Sequence, residues 1–88
     1  MIQYRIYTED KNRDTIINYV SKEFDGFTVY TGVGYWRGRQ EDCLVIEILG
    51  GEAEIVRKTA HWICRNNSQE SVAIVKQEVE VETAGESL

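Results

Sequence analysis

The chain has 88 residues, a mass of 10.2 kDa and a formal net charge of -5 at pH 7. A chain of this length buries only about two-thirds of the surface that its unfolded form exposes, so it has little interior in which to enclose a ligand. The fifteen acidic against ten basic residues argue against a nucleic-acid partner, which requires a basic surface. The hydrophobic fraction of 42% and the charged fraction of 28% are typical of a globular protein rather than a disordered or membrane-embedded one.

The first third of the chain predicts a strand followed by a helix. Residues 2–7 alternate between apolar and polar, which is the period of a half-buried strand. Residues 8–10, Thr-Glu-Asp, then offer helix-capping side chains and early negative charge. Between residues 11 and 24 the apolar positions recur on one helix face. They are Ile16, Ile17, Val20 and Phe24.

The middle of the chain predicts two strands. Residues 27–35 are rich in β-branched and aromatic side chains, and Gly32 and Gly34 within them predict a bulge or a close backbone approach. Residues 36–42 are polar and predict a connection. Residues 43–49 form a nearly continuous apolar run, which predicts a second strand.

The last third predicts a helix over residues 52–66 and a strand over residues 71–81. Glutamate and valine alternate in residues 78–82, which indicates a charged edge strand rather than a metal site. We therefore expect a single domain over residues 1–82 and a flexible C-terminal tail over residues 83–88.

This order of elements predicts an α+β fold of the ferredoxin-like βαββαβ type: a four-stranded antiparallel sheet with both helices on one face. The apolar strand 43–49 has apolar side chains on both faces. Leu44, Ile46 and Ile48 can point toward the helices, whereas Val45 and Leu49 must then point away. The helix-free face therefore needs a cover, and we expect a homo-oligomer, either a trimer or a dimer.

Glu47 is the only charge within that apolar strand. A charge there needs a partner or water. Arg5, on the outward face of the first strand, can pair with it within or between subunits. The alternative is a carboxylate that faces a ligand.

The two cysteines, Cys43 and Cys64, do not form a C-x-x-C pair, and His61 is the only histidine. We therefore expect no metal site and two reduced cysteines. Asp42 lies beside Cys43 and predicts a raised thiol pKa, which argues against a nucleophilic role. The N-terminus lacks the pattern of a signal peptide, so we expect a cytoplasmic protein without a membrane segment.

The segment from residue 31 to residue 42 carries most of the functional signal. It contains three glycines, two adjacent aromatic residues, two arginines and two carboxylates. Glycines allow a ligand to approach the backbone, aromatic rings stack on a base or face a cation, and a carboxylate offsets positive charge. The alternative is an ordinary hairpin with solvated charges. The glycines do not form a dinucleotide-binding fingerprint, because no helix follows them.

Several segments together resemble a known family. They are residues 25–30 (DGFTVY), 34–38 (GYWRG), Glu41 leading into 44–48 (LVIEI), and 69–75 (QESVAIV). They are similar to a group of small bacterial and phage proteins and, more distantly, to the phage S-adenosylmethionine (SAM) lyases and the SAM-AMP lyases of type III CRISPR loci. Those proteins resemble the PII signalling fold, in which ferredoxin-like subunits form trimers with ligand sites between neighbours. The resemblance implies a PII-like homotrimer.

The resemblance also implies an activity. SAM, or its adenylated derivative SAM-AMP, would be cleaved to a methylthioadenosine product and homoserine lactone by attack of the substrate's own carboxylate. This reaction needs no cofactor, metal or enzymic nucleophile, because the protein mainly folds the substrate into its attack geometry.

The residues that the resemblance implies for catalysis are Tyr35 and Glu41. Tyr35 would face the sulfonium or the adenosine, and Glu41, or alternatively Asp42, would hold the cationic centre. The residues implied or considered for substrate binding are Gly32, Gly34, Trp36, Arg37 and Glu47. Arg37 or Arg39 would meet a substrate carboxylate or the phosphate of SAM-AMP. Two other functions remain open: a PII-like module that binds or sequesters an adenine nucleotide without chemistry, and a phage protein that binds a host protein.

Overall fold

The computed structural model describes residues 1–85. The elements are β1 (Ile2–Glu9), α1 (Arg13–Glu23), β2 (Thr28–Trp36), β3 (Arg39–Leu49), α2 (Ala53–Asn66) and β4 (Ala73–Glu78). The four strands form one antiparallel sheet in the order β2-β3-β1-β4. The predicted βαββαβ order is therefore confirmed.

The hydrophobic core lies between one face of this sheet and the two helices. Its members come from the alternating positions of the central strands and from one stripe on each helix. They are Tyr4, Ile6, Ile16, Val20, Leu44, Ile46, Ile48, Val56, Ala60 and Ile63. The helices also contact each other through the stacked rings of Tyr19 and Trp62, whose centroids lie 4.0 Å apart. No helix within residues 1–85 is long and apolar enough to cross a membrane.

The prediction that residues 36–42 form a connection was wrong. The strands β2 and β3 continue through most of it, and only Arg37 and Gly38 form the turn. Both turn residues have positive φ angles, 52° and 78°, as the two central residues of a tight type I′ hairpin turn require. Residues 39–42 are polar because they pair in a part of the hairpin that extends beyond the helix-covered sheet. We call residues 33–42 the distal hairpin.

The last strand is shorter than predicted. β4 ends at Glu78, so most of the acidic run 78–82 lies outside the edge strand. After β4 the chain stays beside the N-terminal residue for one more position, because the backbone N–H of Val79 donates to the carbonyl of Met1 at 2.9 Å. Of the predicted tail, residues 83–85 have no regular secondary structure, and residues 86–88 lie outside the described residues.

Candidate functional site

A groove of about 650 Å³ lies where the distal hairpin leaves the body of the protein. Its walls come from three places: the end of β1, the distal hairpin, and the loop that joins α2 to β4. The lining residues are Tyr7, Thr8, Glu9, Gly34, Tyr35, Trp36, Glu41, Asp42, Cys43, Ser68, Gln69, Glu70, Ser71, Val72 and Ala73. Its volume falls within the usual range for small-molecule sites.

The strand register explains why a groove forms here. The pairing of β1 with β3 ends at Glu9 and Cys43, and the pairing of β1 with β4 ends earlier, at Tyr7 and Ala73. One further hydrogen bond, from the Asp10 N–H to the Asp42 carbonyl at 3.0 Å, follows these rungs, and beyond it the described strands give the hairpin no neighbour on the β1 side. The α2–β4 loop therefore faces the hairpin across the end of β1.

A buried polar network holds the α2–β4 loop against β1. The Asn67 side chain, only 2% exposed, donates from Nδ2 to Gln69 Oε1 at 2.8 Å, and Asn12 Nδ2 donates to Asn67 Oδ1 at 3.0 Å. Thr8 Oγ1 also donates to Gln69 Oε1. Since Thr8 and Gln69 line the groove, this network fixes one of its walls.

Sequence reasoning missed this wall. In the sequence, Thr8 is assigned to helix capping, and Asn67 lies directly after the predicted helix 52–66. The contacts of Thr8 with Asn67 and with Gln69 join residues 59 and 61 positions apart, and local spacing carries no signal for such pairs.

The groove is acidic. Four acidic residues line it, Glu9, Glu41, Asp42 and Glu70, and within residues 1–85 no lysine, arginine or histidine does so. The register places the side chains of Glu41 and Asp42 on opposite faces of the hairpin. Glu9 pairs with Lys11 at 3.3 Å, whereas the other three carboxylates form no salt bridge with any described residue. A cleft lined by one sign of charge concentrates ligands of the opposite sign. The groove therefore favours a cation.

The two side chains assigned to catalysis, Tyr35 and Glu41, both line the groove. They extend from opposite faces of the hairpin, because Glu41 is opposite Gly34 in the register and Tyr35 is opposite Gln40. Tyr35 Oη donates to Gln40 Oε1 at 3.4 Å. The assignment of catalytic roles to Tyr35 and Glu41 stays a prediction, and the two side chains cannot approach a ligand from one face of the ladder.

Of the residues proposed to bind substrate, Gly34 and Trp36 line the groove, whereas Gly32 and Arg37 do not. The Arg37 guanidinium lies over the Trp36 ring, 5.4 Å from its centroid. A Cβ atom at Gly34 would lie 3.8 Å from the Glu41 carbonyl oxygen, an ordinary contact, so the fold itself does not require glycine there.

Glu47 lies outside the groove, on the helix-free face of the sheet. Its Oε2 accepts hydrogen bonds from Arg5 Nε at 3.0 Å and from Tyr30 Oη at 3.3 Å. The predicted pairing of Arg5 with Glu47 is confirmed and lies within one chain. This hydrogen bond raises the pKa of Arg5, and burial together with the charge of Glu47 raises the pKa of Tyr30. A role for Glu47 in substrate binding stays a prediction.

Cys43 lines the groove, and burial raises the pKa of its thiol. The carboxylates of Asp10 and Glu41 add to this rise, so the predicted direction is confirmed although Asp42 is not its cause. Cys64 Sγ donates to the carbonyl of Gln69 at 2.8 Å. Both cysteines are free, and within residues 1–85 no group of three His, Cys, Asp or Glu side chains is placed to hold a metal ion.

The fold and strand order are those of the PII-like, ferredoxin-like proteins. The structure is similar to that of B. subtilis GlnK in complex with ATP, with a TM-score of 0.67 and 20% identity over 89% of this chain and 80% of that one. It is also similar to a phage SAM lyase in the apo state, with a TM-score of 0.53 and 17% identity over 86% and 78%. A third similar structure is that of the divalent ion tolerance protein CutA1 from Ehrlichia chaffeensis. Its TM-score is 0.55, and the identity is 15% over 93% of this chain and 84% of that one.

No protein-family profile and no curated protein sequence matches the chain. At identities of 15 to 20%, the structural likeness establishes the fold alone. The PII-like resemblance inferred from the sequence is confirmed at that level. A function must be argued from the groove.

Proposed function

We propose that the protein is a lyase that binds S-adenosylmethionine, or its adenylated derivative SAM-AMP, in this groove and cleaves it. The products are a methylthioadenosine species and homoserine lactone. The site is shared between copies of a homotrimer, as the resemblance implies. The observation that carries the proposal is the groove itself. It is lined by aromatic residues and by three acidic residues, Glu41, Asp42 and Glu70, that form no salt bridge within residues 1–85, and this lining suits a cationic sulfonium.

The reaction balances without any group from the protein. An oxygen of the substrate's methionyl carboxylate attacks Cγ and forms the C–O bond of the lactone. The C–S bond breaks, and its electron pair goes to sulfur, which becomes a neutral thioether. No proton moves, so the protein must only hold the carboxylate in line with the C–S bond and exclude water.

The reaction removes the positive charge on sulfur, and this change indicates which step Glu41 can assist. The sulfonium loses its positive charge in the transition state, so a nearby carboxylate stabilises the bound substrate more than the transition state. Glu41 therefore binds and orients the substrate. Two unit charges about 4 Å apart interact by about 1 kcal/mol in water and about 4 kcal/mol at a protein surface. Loss of this charge should weaken binding by about fivefold or more.

The same charges favour SAM over SAM-AMP. The adenylyl group adds a negative phosphodiester, which the carboxylates of Glu41, Asp42 and Glu70 would repel. Within residues 1–85 no cationic side chain lines the groove to offset this repulsion. We expect SAM to be cleaved at the lower substrate concentration.

Incubation of the purified protein with SAM, and separately with SAM-AMP, tests the proposal. Mass spectrometry should detect a methylthioadenosine species and homoserine lactone. If neither substrate is turned over, the protein is not this lyase. Glu41→Gln should lose most of the turnover at limiting substrate without a change in oligomeric state. The matched control is Glu78→Gln, which removes the same charge from β4, outside the groove, and should keep full activity.

A second candidate is a PII-like module that binds an adenine nucleotide without chemistry. The observation in its favour is the higher TM-score to the GlnK–ATP complex, 0.67 against 0.53 for the lyase. The acidic lining opposes it, because a polyphosphate is strongly anionic. It predicts saturable calorimetric binding of ATP and a ligand that is recovered unchanged after long incubation.

A further inference from the structure

Gln69, in the α2–β4 loop, has a hydrogen-bond partner at each of its polar atoms. Its backbone N–H donates to the Cys64 carbonyl at 2.9 Å, and its own carbonyl accepts a hydrogen bond from Cys64 Sγ at 2.8 Å. Its side-chain Oε1 accepts from Thr8 and Asn67, and its Nε2 donates to the Ser71 carbonyl at 3.3 Å. Because both ends of the side-chain amide have partners, Gln69 meets a ligand in a single, preorganised orientation.

The Ser71 carbonyl decides which end of the Gln69 amide faces which neighbour. A backbone carbonyl only accepts hydrogen bonds, so the Gln69 atom that lies 3.3 Å from it must be the Nε2 donor. Oε1 therefore faces Asn67, whose Nδ2 donates to it at 2.8 Å. The Asn67 Oδ1 is then left to accept from Asn12 Nδ2 at 3.0 Å. One backbone carbonyl thus sets the direction of the hydrogen bonds through this buried network.

This orientation leaves Gln69 with a hydrogen-bond donor for a ligand and no acceptor. The Nε2 group carries two hydrogens, and within residues 1–85 only the Ser71 carbonyl accepts from it. Oε1 already accepts two hydrogen bonds, from Thr8 and Asn67, which fill its capacity. Since Gln69 lines the groove, it offers an N–H group to an acceptor atom of the ligand.

The substrate of the proposed function has one group that needs such a donor. SAM carries a sulfonium and an ammonium, which the acidic residues of the groove attract, and a carboxylate, which they repel. Within the described part of the chain, residues 1–85, no cationic side chain lines the groove to bind that carboxylate. A neutral N–H group can bind it through a charge-assisted hydrogen bond and leaves its negative charge in place for the attack.

We propose that Gln69 Nε2 binds one oxygen of the substrate carboxylate and so holds the other oxygen in position to attack Cγ. This role rests on the proposed function, because it takes SAM as the ligand. The amide exchanges no proton, and the bonds that form and break are those of the lactone formation already described. Thr8 and Asn67 do not bind the carboxylate; they are positioning residues that hold Oε1 and so direct the N–H group.

Gln69→Glu tests this role because it changes one end of the side chain and keeps the other. The glutamate retains an oxygen that accepts from Thr8 and Asn67, but a second, negatively charged oxygen replaces the Nε2 donor. Two probes that cannot form the lactone separate the carboxylate from the rest of the ligand. Sinefungin has an amine-bearing carbon in place of the sulfonium and keeps the carboxylate, whereas decarboxylated SAM keeps the sulfonium and lacks the carboxylate.

Calorimetric titration measures the affinity for each probe. We expect Gln69→Glu to bind sinefungin about tenfold or more weakly than the wild type does, because a hydrogen bond to a charged group is lost. It should bind decarboxylated SAM at least as tightly as the wild type does. The matched control is Gln40→Glu, which makes the same change on the distal hairpin outside the groove and should bind both probes normally. An equal change for both probes, or no change for either, would overturn the role of Gln69.

Nuclear magnetic resonance of the wild type gives a second measurement, which does not require the variant to fold. In the 15N-labelled protein, sinefungin should shift the side-chain NH2 resonances of Gln69 downfield, because the N–H group gains a charged acceptor. Decarboxylated SAM should leave these resonances near their ligand-free positions. A similar shift with both probes, or a shift with neither, would contradict the proposal.

Failure of the role of Gln69 is distinguishable from failure of the proposed function. If the wild type binds neither probe and cleaves neither SAM nor SAM-AMP, the proposed function is wrong, and the role of Gln69 is wrong with it. If the wild type cleaves SAM but Gln69→Glu affects the two probes equally, only the role of Gln69 is wrong.

Discussion

Replacement of Gly34 by alanine should reduce the space for a ligand in the groove without destabilising the fold. A Cβ atom at Gly34 would lie 3.8 Å from the Glu41 carbonyl oxygen and 3.9 Å from Cys43 Cβ, both ordinary contact distances. It would project from the face of the hairpin that carries Glu41 and Cys43, which line the groove. Gly32, on the same strand face but outside the groove, has no atom within 4 Å of such a Cβ. Gly32→Ala is therefore the matched control.

Both substitutions should stabilise the protein slightly. Neither glycine has a positive φ, so alanine fits the strand and reduces the conformational entropy of the unfolded chain. The expected gain is about 0.5–1 kcal/mol, or about 2–8 °C in Tm for a domain of this size. Only Gly34→Ala should weaken ligand binding. An added methyl in a packed contact costs about 1–3 kcal/mol, which corresponds to about 5- to 150-fold in affinity.

Thermal unfolding and calorimetric titration with SAM measure the two effects separately. We expect both variants to melt above the wild type and only Gly34→Ala to lose affinity. Equal SAM affinity for the two variants would show that the ligand does not occupy this groove. A lower Tm for both variants would contradict the strand geometry around Gly32 and Gly34.

Three further predictions follow from burial and charge. Iodoacetamide should modify Cys43 more slowly at neutral pH than it modifies a free cysteine, and faster as the pH rises, because burial raises the thiol pKa. Peptide mass spectrometry measures the rate of modification. A rate equal to that of free cysteine would contradict the raised pKa. The hydrogen bond from Arg13 lowers the pKa of Asp10, so ionised Asp10 stabilises the fold above about pH 4 and this stabilisation disappears as the pH falls through its folded pKa. Asp10→Asn should therefore lower the free energy of unfolding in urea at pH 7 more than at pH 3, and equal losses would refute this. Ile46→Ala, at a fully buried position, should cost about 2–5 kcal/mol in the same assay, and a loss near zero would place Ile46 outside the core.

Local periodicity predicted the fold well. The alternation in residues 2–7 and the helical stripe around Ile16 and Val20 depend only on neighbouring residues, and both recur in the core. The end of β2 and the start of β3 were mispredicted. A polar segment has the same sequence pattern whether it forms a loop or pairs in a solvent-exposed hairpin. The left-handed conformation of Arg37 has no sequence signal of its own, since arginine is not a typical residue for that position.

The candidate site was predicted only on the hairpin side. The glycines, aromatic residues and carboxylates of the segment 31–42 signalled a ligand, and Gly34, Trp36 and Glu41 do line the groove. The opposite wall depends on contacts such as that between Thr8 and Gln69, which are far apart in the chain. Because such contacts form only when β1, α2 and β4 pack together, the sequence offers no pattern from which to infer them.

The sequence by itself determined the order of the elements, most residues of the core and the acidic balance of the chain, because each depends on composition or on short-range spacing. The tertiary structure alone decided which carboxylates share a groove and which one, Glu47, is neutralised by Arg5. It also decided that Tyr35 and Glu41 lie on opposite faces of the hairpin. Strand register sets these outcomes, since a shift of one residue would exchange the faces of every side chain in a strand.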